Sequence, residues 1–158
     1  MKKFTEIQIR IILAARVIFA IEGYEGVSMR RLAKQVDVVP SVMYYHFSSK
    51  DELLRAMFEY TGSELGRQRE ALPHAQGFEQ LLRQRIRFQF EHAESVVAIL
   101  KYYFCFRMRF PKQERGFVPV TAYLHIKEIL EQGIALGELP MMDVDDQAKI
   151  ITHAVTGF

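Results

Sequence analysis

The chain predicts an all-α fold, on three observations. No stretch sustains the two-residue alternation of a half-buried strand between turn residues. Apolar side chains instead recur at spacings of three and four along most of the length. Glycine, proline and serine fall between these runs where helices stop and start. With 49% hydrophobic and 25% charged residues among 158, there is ample material for a core.

Ile7, Ile11, Ala14, Ala15, Ile18 and Phe19 form an apolar stripe that predicts a first helix of about fifteen residues. It should end at Gly23-Tyr24-Glu25-Gly26, whose two glycines supply the backbone freedom of a stop and turn. Ser28 is placed as the N-cap of a short second helix, with Met29, Leu32, Ala33 and Val36 on one face. Asp37-Val38-Val39 is the turn, and Pro40 suits the first position of a third helix over 40–46, about 10 Å long at the usual rise. Ser49-Lys50-Asp51-Glu52 fits a capping box that opens a fourth helix.

Further along, Pro73 and Gly77 interrupt the pattern, and helical spacing predicts helices near 78–92, 95–110, 119–136 and 144–157. Phe110-Pro111-Lys112 and Gly137-Glu138-Leu139-Pro140 read as loops.

Charge and chemistry narrow the function. The overall excess is +2, yet residues 1–50 hold eight basic and four acidic side chains, a basic head on a mildly acidic body. One cysteine, Cys105, excludes an internal disulfide, and the five histidines (His46, His74, His92, His125, His153) have no metal-site spacing. No nucleophile–base pair or phosphate-cradling loop is visible, since Gly23-x-x-Gly26 lies in a helix-to-helix turn. Neither an enzyme nor a cofactor is expected. No apolar run is long enough to span a membrane, so a soluble cytoplasmic protein with no membrane partner is expected.

Two short helices joined by a tight turn and braced by a longer one match a helix-turn-helix. For the third helix to enter a major groove, its inner face must be anchored. Met43 and Phe47, four apart, are the expected anchors, with Val39 one turn earlier as a third. That leaves Ser41, Val42, Tyr44, Tyr45 and His46 outward, where hydroxyls and imidazole can meet phosphates and rings can pack on sugars or thymine methyls. Any one of the three rings could instead fill the core.

The run from Ile12 to Leu54 resembles the N-terminal DNA-binding domain of the TetR family of transcriptional regulators. The matching elements are Ala14-Ala15-x-x-x-Phe19, Gly23-Tyr24-x-Gly26, Ser28-Met29-Arg30-x-Leu32-Ala33 and Tyr44-Tyr45-His46-Phe47-x-x-Lys50. The resemblance implies that Ser28 and Arg30 lie near backbone phosphates. It also implies that Ser41, Val42 and Tyr45 face the groove while Tyr44, His46 and Lys50 clamp phosphates. Asp37 stands where the family usually has glycine, and Val39 where it usually has a serine-like cap. Asp tolerates left-handed backbone better than most residues, so the turn can survive.

The same resemblance implies a helix-turn-helix domain at 1–50 and a larger helical effector-binding and dimerisation domain at 51–158. It further implies a near-palindromic double-stranded operator as partner, a homodimer, and a repressor released by a small apolar or amphipathic effector. The family pattern continues for another helix past Gly157, so the chain is expected to be cut short at its C-terminus or to lack that helix. Seven of the nineteen aromatic residues lie between 88 and 110, interleaved with arginines. Phe88, Tyr102, Tyr103, Phe106, Arg107 and Phe110 are the expected effector site, with a core role as the alternative for each. The arginines favour an acidic head group. The alternative function is a small-ligand sensor or carrier with an impaired DNA-binding head.

Overall fold

The computed structural model describes residues 3–109 and 119–156; the side chains of residues 103, 106–109, 119–122 and 152–156 lie outside the description. So does the loop expected at Phe110-Pro111-Lys112. Eight helices and no strand occur among the described residues: α1 (Glu6–Gly26), α2 (Met29–Gln35), α3 (Pro40–His46), α4 (Lys50–Glu70), α5 (Phe78–Glu91), α6 (Ala93–Arg109), α7 (Pro119–Ala135) and α8 (Val144–Thr156). They divide into two compact units, Met1–Leu72 with His92–Arg109, and Pro73–Glu91 with Phe110–Phe158.

In the first unit α1 is the central element, packed by α2, α4 and α6. That explains a buried arc wider than one stripe: Ile12 is sealed along with Ile11, Ala15, Ile18 and Phe19. The start of α1 carries a capping box at Thr5. Thr5 accepts from the Gln8 N–H, and the Gln8 side chain accepts from the Thr5 N–H. The helical path breaks at Gly23, which takes φ 72°, and a last turn runs on to Gly26. α6 is tied to α1 at two points: Arg16 pairs with Glu94 at 3.0 Å, and the Lys101 ammonium donates to the carbonyls of Ala20 and Ile21. Those carbonyls precede the break, so a cation there meets the negative end of the first helical run.

In the second unit α7 packs against α5 and α8. α7 ends in a Schellman motif: Gly137 takes φ 71°, its N–H reaches the Ile134 carbonyl, and the Glu138 N–H reaches that of Gly133. The Glu138 carboxylate then accepts from the Phe78 N–H and so caps α5. Gly133 faces Phe78 and Leu139 so closely that a Cβ there would meet both side chains within 3.0 Å. Between α7 and α8, Asp145 accepts from Tyr123 at 2.8 Å and from Lys127 at 2.6 Å. These hydrogen bonds hold the Asp145 carboxyl below its ordinary range, with Lys127 the larger cause; Asp145 in turn raises both Lys127 and Tyr123.

Candidate nucleic-acid interface

The interface is built on α2, the turn and α3. Ser28 caps α2 with its hydroxyl facing the Arg31 N–H at 3.5 Å, a loose bond that leaves the exposed side chain able to donate elsewhere. α2 closes on Asp37 in the left-handed region, φ 55°, and the Val38 N–H bonds back to the Ala33 carbonyl at 2.9 Å. This is the six-to-one bond of a Schellman ending with Asp in the glycine position. The substitution at 37 is therefore accommodated. Arg10 secures the same corner, donating to the Val36 carbonyl at 2.7 Å.

α3 begins at Pro40 as its first residue, and Val39 makes no side-chain cap bond. The helix is anchored as expected by Met43 and Phe47, which are 0% and 1% exposed. Val39 is a correction: at 59% exposure it is not a third anchor. It sits outside the helix in extended geometry, φ −73° and ψ 151°, so helical spacing from Met43 does not fix its direction.

The outward face carries the residues singled out for it. Tyr45 is 85% and Tyr44 50% exposed, Ser41 is exposed, and Val42 and His46 are half-buried. The Tyr45 and His46 rings meet edge to face at 5.1 Å, which limits the positions both can take. So the three consecutive rings are not sealed in the core.

The cations around this face differ in freedom. Arg31 forks onto Glu22 with two bonds of 2.7 Å, and this pair holds Glu22 below and Arg31 above their ordinary ranges. Gly26 makes room for it, because a Cβ there would collide with Glu22. Arg30, by contrast, is exposed and makes no hydrogen bond or ion pair among the described residues. Arg30 is thus available to a phosphate, whereas Arg31 serves the fold. Lys50 opens α4, where the Ser49 hydroxyl accepts from the Glu52 N–H at 3.1 Å and the Glu52 carboxylate reaches back to Ser48. Its ammonium lies 3.8 Å from the centre of the Tyr24 ring, and the Tyr24 hydroxyl donates to Asp51 at 2.6 Å. Arg10 was not expected in this region, and Tyr24 was named only as part of the Gly23-Tyr24-x-Gly26 motif, with no partner assigned to its side chain.

The expected effector residues are less joined. Phe88 is buried in the second unit. Tyr102 is buried in the first, its ring stacked on Phe58 at 4.6 Å. The side chains of Tyr103, Phe106 and Arg107 lie outside the described residues, as does the whole of Phe110. Phe90, from the same aromatic run, is 78% exposed. Arg85 on α5 has its Nε and Nη1 enclosed with no hydrogen-bond partner among the described residues. No group of three or more His, Cys, Asp or Glu among the described residues could hold a metal, and no described helix is long and apolar enough to cross a membrane.

Comparison with known proteins fits this geometry. Residues 11–57 match the family described as bacterial regulatory proteins, tetR family. The HTH-type transcriptional regulator UidR of Escherichia coli K12 is 40% identical over 48 residues, which is 30% of this chain and 24% of that protein. The match thus spans about a quarter of the curated relative's length. A transcriptional regulator of the TetR family from Agrobacterium tumefaciens superposes with TM-score 0.72 at 20% identity, covering 95% of this chain and 83% of that one. The fatty acid degradation regulator FadR from Bacillus halodurans superposes with TM-score 0.69 at 19% identity, covering 99% and 83%. At such identities these two likenesses speak for the fold alone.

Proposed function

We propose that this chain, whose residues 11–57 match the tetR family of bacterial regulatory proteins, is a regulator of that family and not an enzyme, and within it a ligand-responsive, DNA-binding transcriptional repressor. Residues 1–50 act as the DNA-binding head and 51–158 as the effector-binding and dimerisation body. The observation that carries the reading is the division of α3. Met43 and Phe47 are sealed inside while Tyr45 stands 85% exposed on the opposite side. A rod of this length, braced from behind, suits a major groove about 12 Å wide. Ser28, Arg30, Tyr44, His46 and Lys50 contact phosphates, and Ser41, Val42 and Tyr45 meet base edges and sugars.

Two copies place their α3 helices on half-sites about 34–36 Å apart, or a multiple of a turn, along a near-palindromic operator. Exposed Ile150 and Ile151 on α8 support a pairing surface in the body. Effector binding favours a spacing that fits the operator less well, so DNA and effector weaken each other reciprocally. An effector with an acidic head group and an apolar body is supported by Arg85, whose enclosed guanidinium nitrogens have no partner among the described residues.

A gel shift of the full chain against the region upstream of its own gene tests the proposal. Binding that weakens steeply with salt is expected. Effector uptake without any salt-dependent shift would favour instead a sensor with an impaired head, the reading that the uncapped Val39 supports. Equilibrium binding of long-chain carboxylates and quaternary ammonium compounds tests the effector class. Preference for the cations would overturn the acidic reading.

A further inference from the structure

Tyr24 sits in the turn after the main run of α1, where its neighbouring glycines account for the backbone and its own side chain is left unexplained. The side chain makes two contacts with the first turn of α4, 26 and 27 residues further along. The ring face lies under the Lys50 ammonium, 3.8 Å from ring centre to Nζ. The hydroxyl donates to an Asp51 carboxylate oxygen at 2.6 Å. Lys50 is half-buried, although a lysine at the first position of a helix would ordinarily extend into water.

We propose that Tyr24 is a positioning residue for DNA binding: its ring holds the Lys50 ammonium in place for a backbone phosphate, and its hydroxyl fixes the ring by bonding Asp51. The inference rests on the DNA-binding reading and names a device within it. A free lysine has four rotatable bonds to immobilise when it meets a phosphate. A lysine already held against an aromatic face by attraction to the ring quadrupole has lost most of that freedom beforehand. The ammonium keeps three N–H donors, so the ring contact does not exclude a phosphate oxygen on its other side. The hydroxyl has a second effect. Asp51 is the acidic neighbour of Lys50, and bonding it to Tyr24 occupies a carboxylate oxygen that would otherwise face the approaching polyanion.

Because phosphate contacts act on any sequence, the probe is a mixed-sequence duplex of about 30 base pairs, enough for the two half-sites, with full-length protein over a potassium chloride series. Tyr24→Leu is expected to weaken binding about three- to tenfold and to flatten the log–log salt slope by up to about one unit. Tyr24→Phe, which keeps the ring, restores most of the loss. In a Lys50→Ala background, Tyr24→Leu changes nothing further, because the group it positions is gone. Equal losses in both backgrounds, or wild-type affinity in folded Tyr24→Leu, would overturn the proposal. A readout on the unmodified protein stands independently of whether the leucine variant folds: the ε-methylene protons of Lys50 should be shifted upfield by the Tyr24 ring current. Random-coil positions for them would also overturn it. Absence of salt-dependent binding by the wild-type chain would remove the DNA reading itself, whereas intact binding without coupling would remove Tyr24 alone.

Discussion

The first unit and the second are made of similar amphipathic helices, yet they dispose of their apolar side chains differently. In the first, Ile11, Leu32, Met43, Leu53 and Met57 are all 0% exposed, packed within one unit from four or more helices. In the second, among the described residues, Leu81, Phe88, Ile129 and Leu130 each retain 7–9% exposure. Ile86, Phe90, Leu124 and Ile150 lie on the surface. The first unit has a closed core, although Ile21 and Val39 remain 72% and 59% exposed on its surface. The described helices of the second unit leave apolar faces open, and a unit of that kind gains stability from whatever binds it.

The largest expected effect tests the closed core of the first unit. Phe47→Ala should destabilise the protein by about 3–5 kcal/mol in urea denaturation, since a sealed ring leaves a cavity behind. Phe90→Ala, on the open face of α5, should stay within about 0.5 kcal/mol. Similar losses for the two would break the contrast between the units.

A smaller effect concerns the turn that sets the pose of α3. Asp37→Val should cost about 1–2 kcal/mol, because a β-branched side chain is poorly accommodated at positive φ. Asp37→Gly should instead stabilise by up to about 1 kcal/mol, the gain expected when the side chain's strain is relieved. Thermal denaturation of the two variants separates strain at the turn from any role for the carboxylate; equal melting temperatures would contradict the left-handed backbone.

Arg30→Ala should leave stability unchanged and reduce the slope of log affinity against log salt by about one unit, read by fluorescence anisotropy. An unaltered slope would remove Arg30 from the phosphate contacts.

The least effect is expected in the body, at the exposed Tyr123–Lys127–Asp145 cluster. Asp145 has its folded pKa depressed, so its contribution is present above the ordinary Asp range and disappears as pH falls through the folded value. Lys127 has its pKa raised, so its share is full below the ordinary Lys range and is lost as pH climbs through the folded value. Asp145→Asn should flatten the acid side of the melting-temperature profile slightly; identical profiles would show that solvent screens the cluster entirely.

Much of the fold was legible because its helix ends are written in local chemistry. Ser28 and Ser49 open helices and Asp37 and Gly137 close them through local backbone geometry and bonds within a turn or so, while Pro40 opens α3 through its fixed φ. The family motif likewise located the outward rings of α3. What escaped were ties between distant segments. Arg10 to Val36, Tyr24 to Lys50 and Asp51, and Lys101 to Ala20 leave no periodic trace, since each joins residues 26 or more apart. Tyr102 shows the same limit: the sequence offers it as an effector residue with a core role as the alternative, and only the structure identifies its stack on Phe58. Val39 was misassigned because helical periodicity was carried one residue past the start of α3.

Amide hydrogen exchange, with and without a duplex from the chain's own upstream region, bears most directly on the central claim. Protection concentrated at the start of α2, along α3 and at the first turn of α4, with α5, α7 and α8 little changed, is the predicted result. A duplex that protected the body helices while leaving 28–50 unchanged would contradict it.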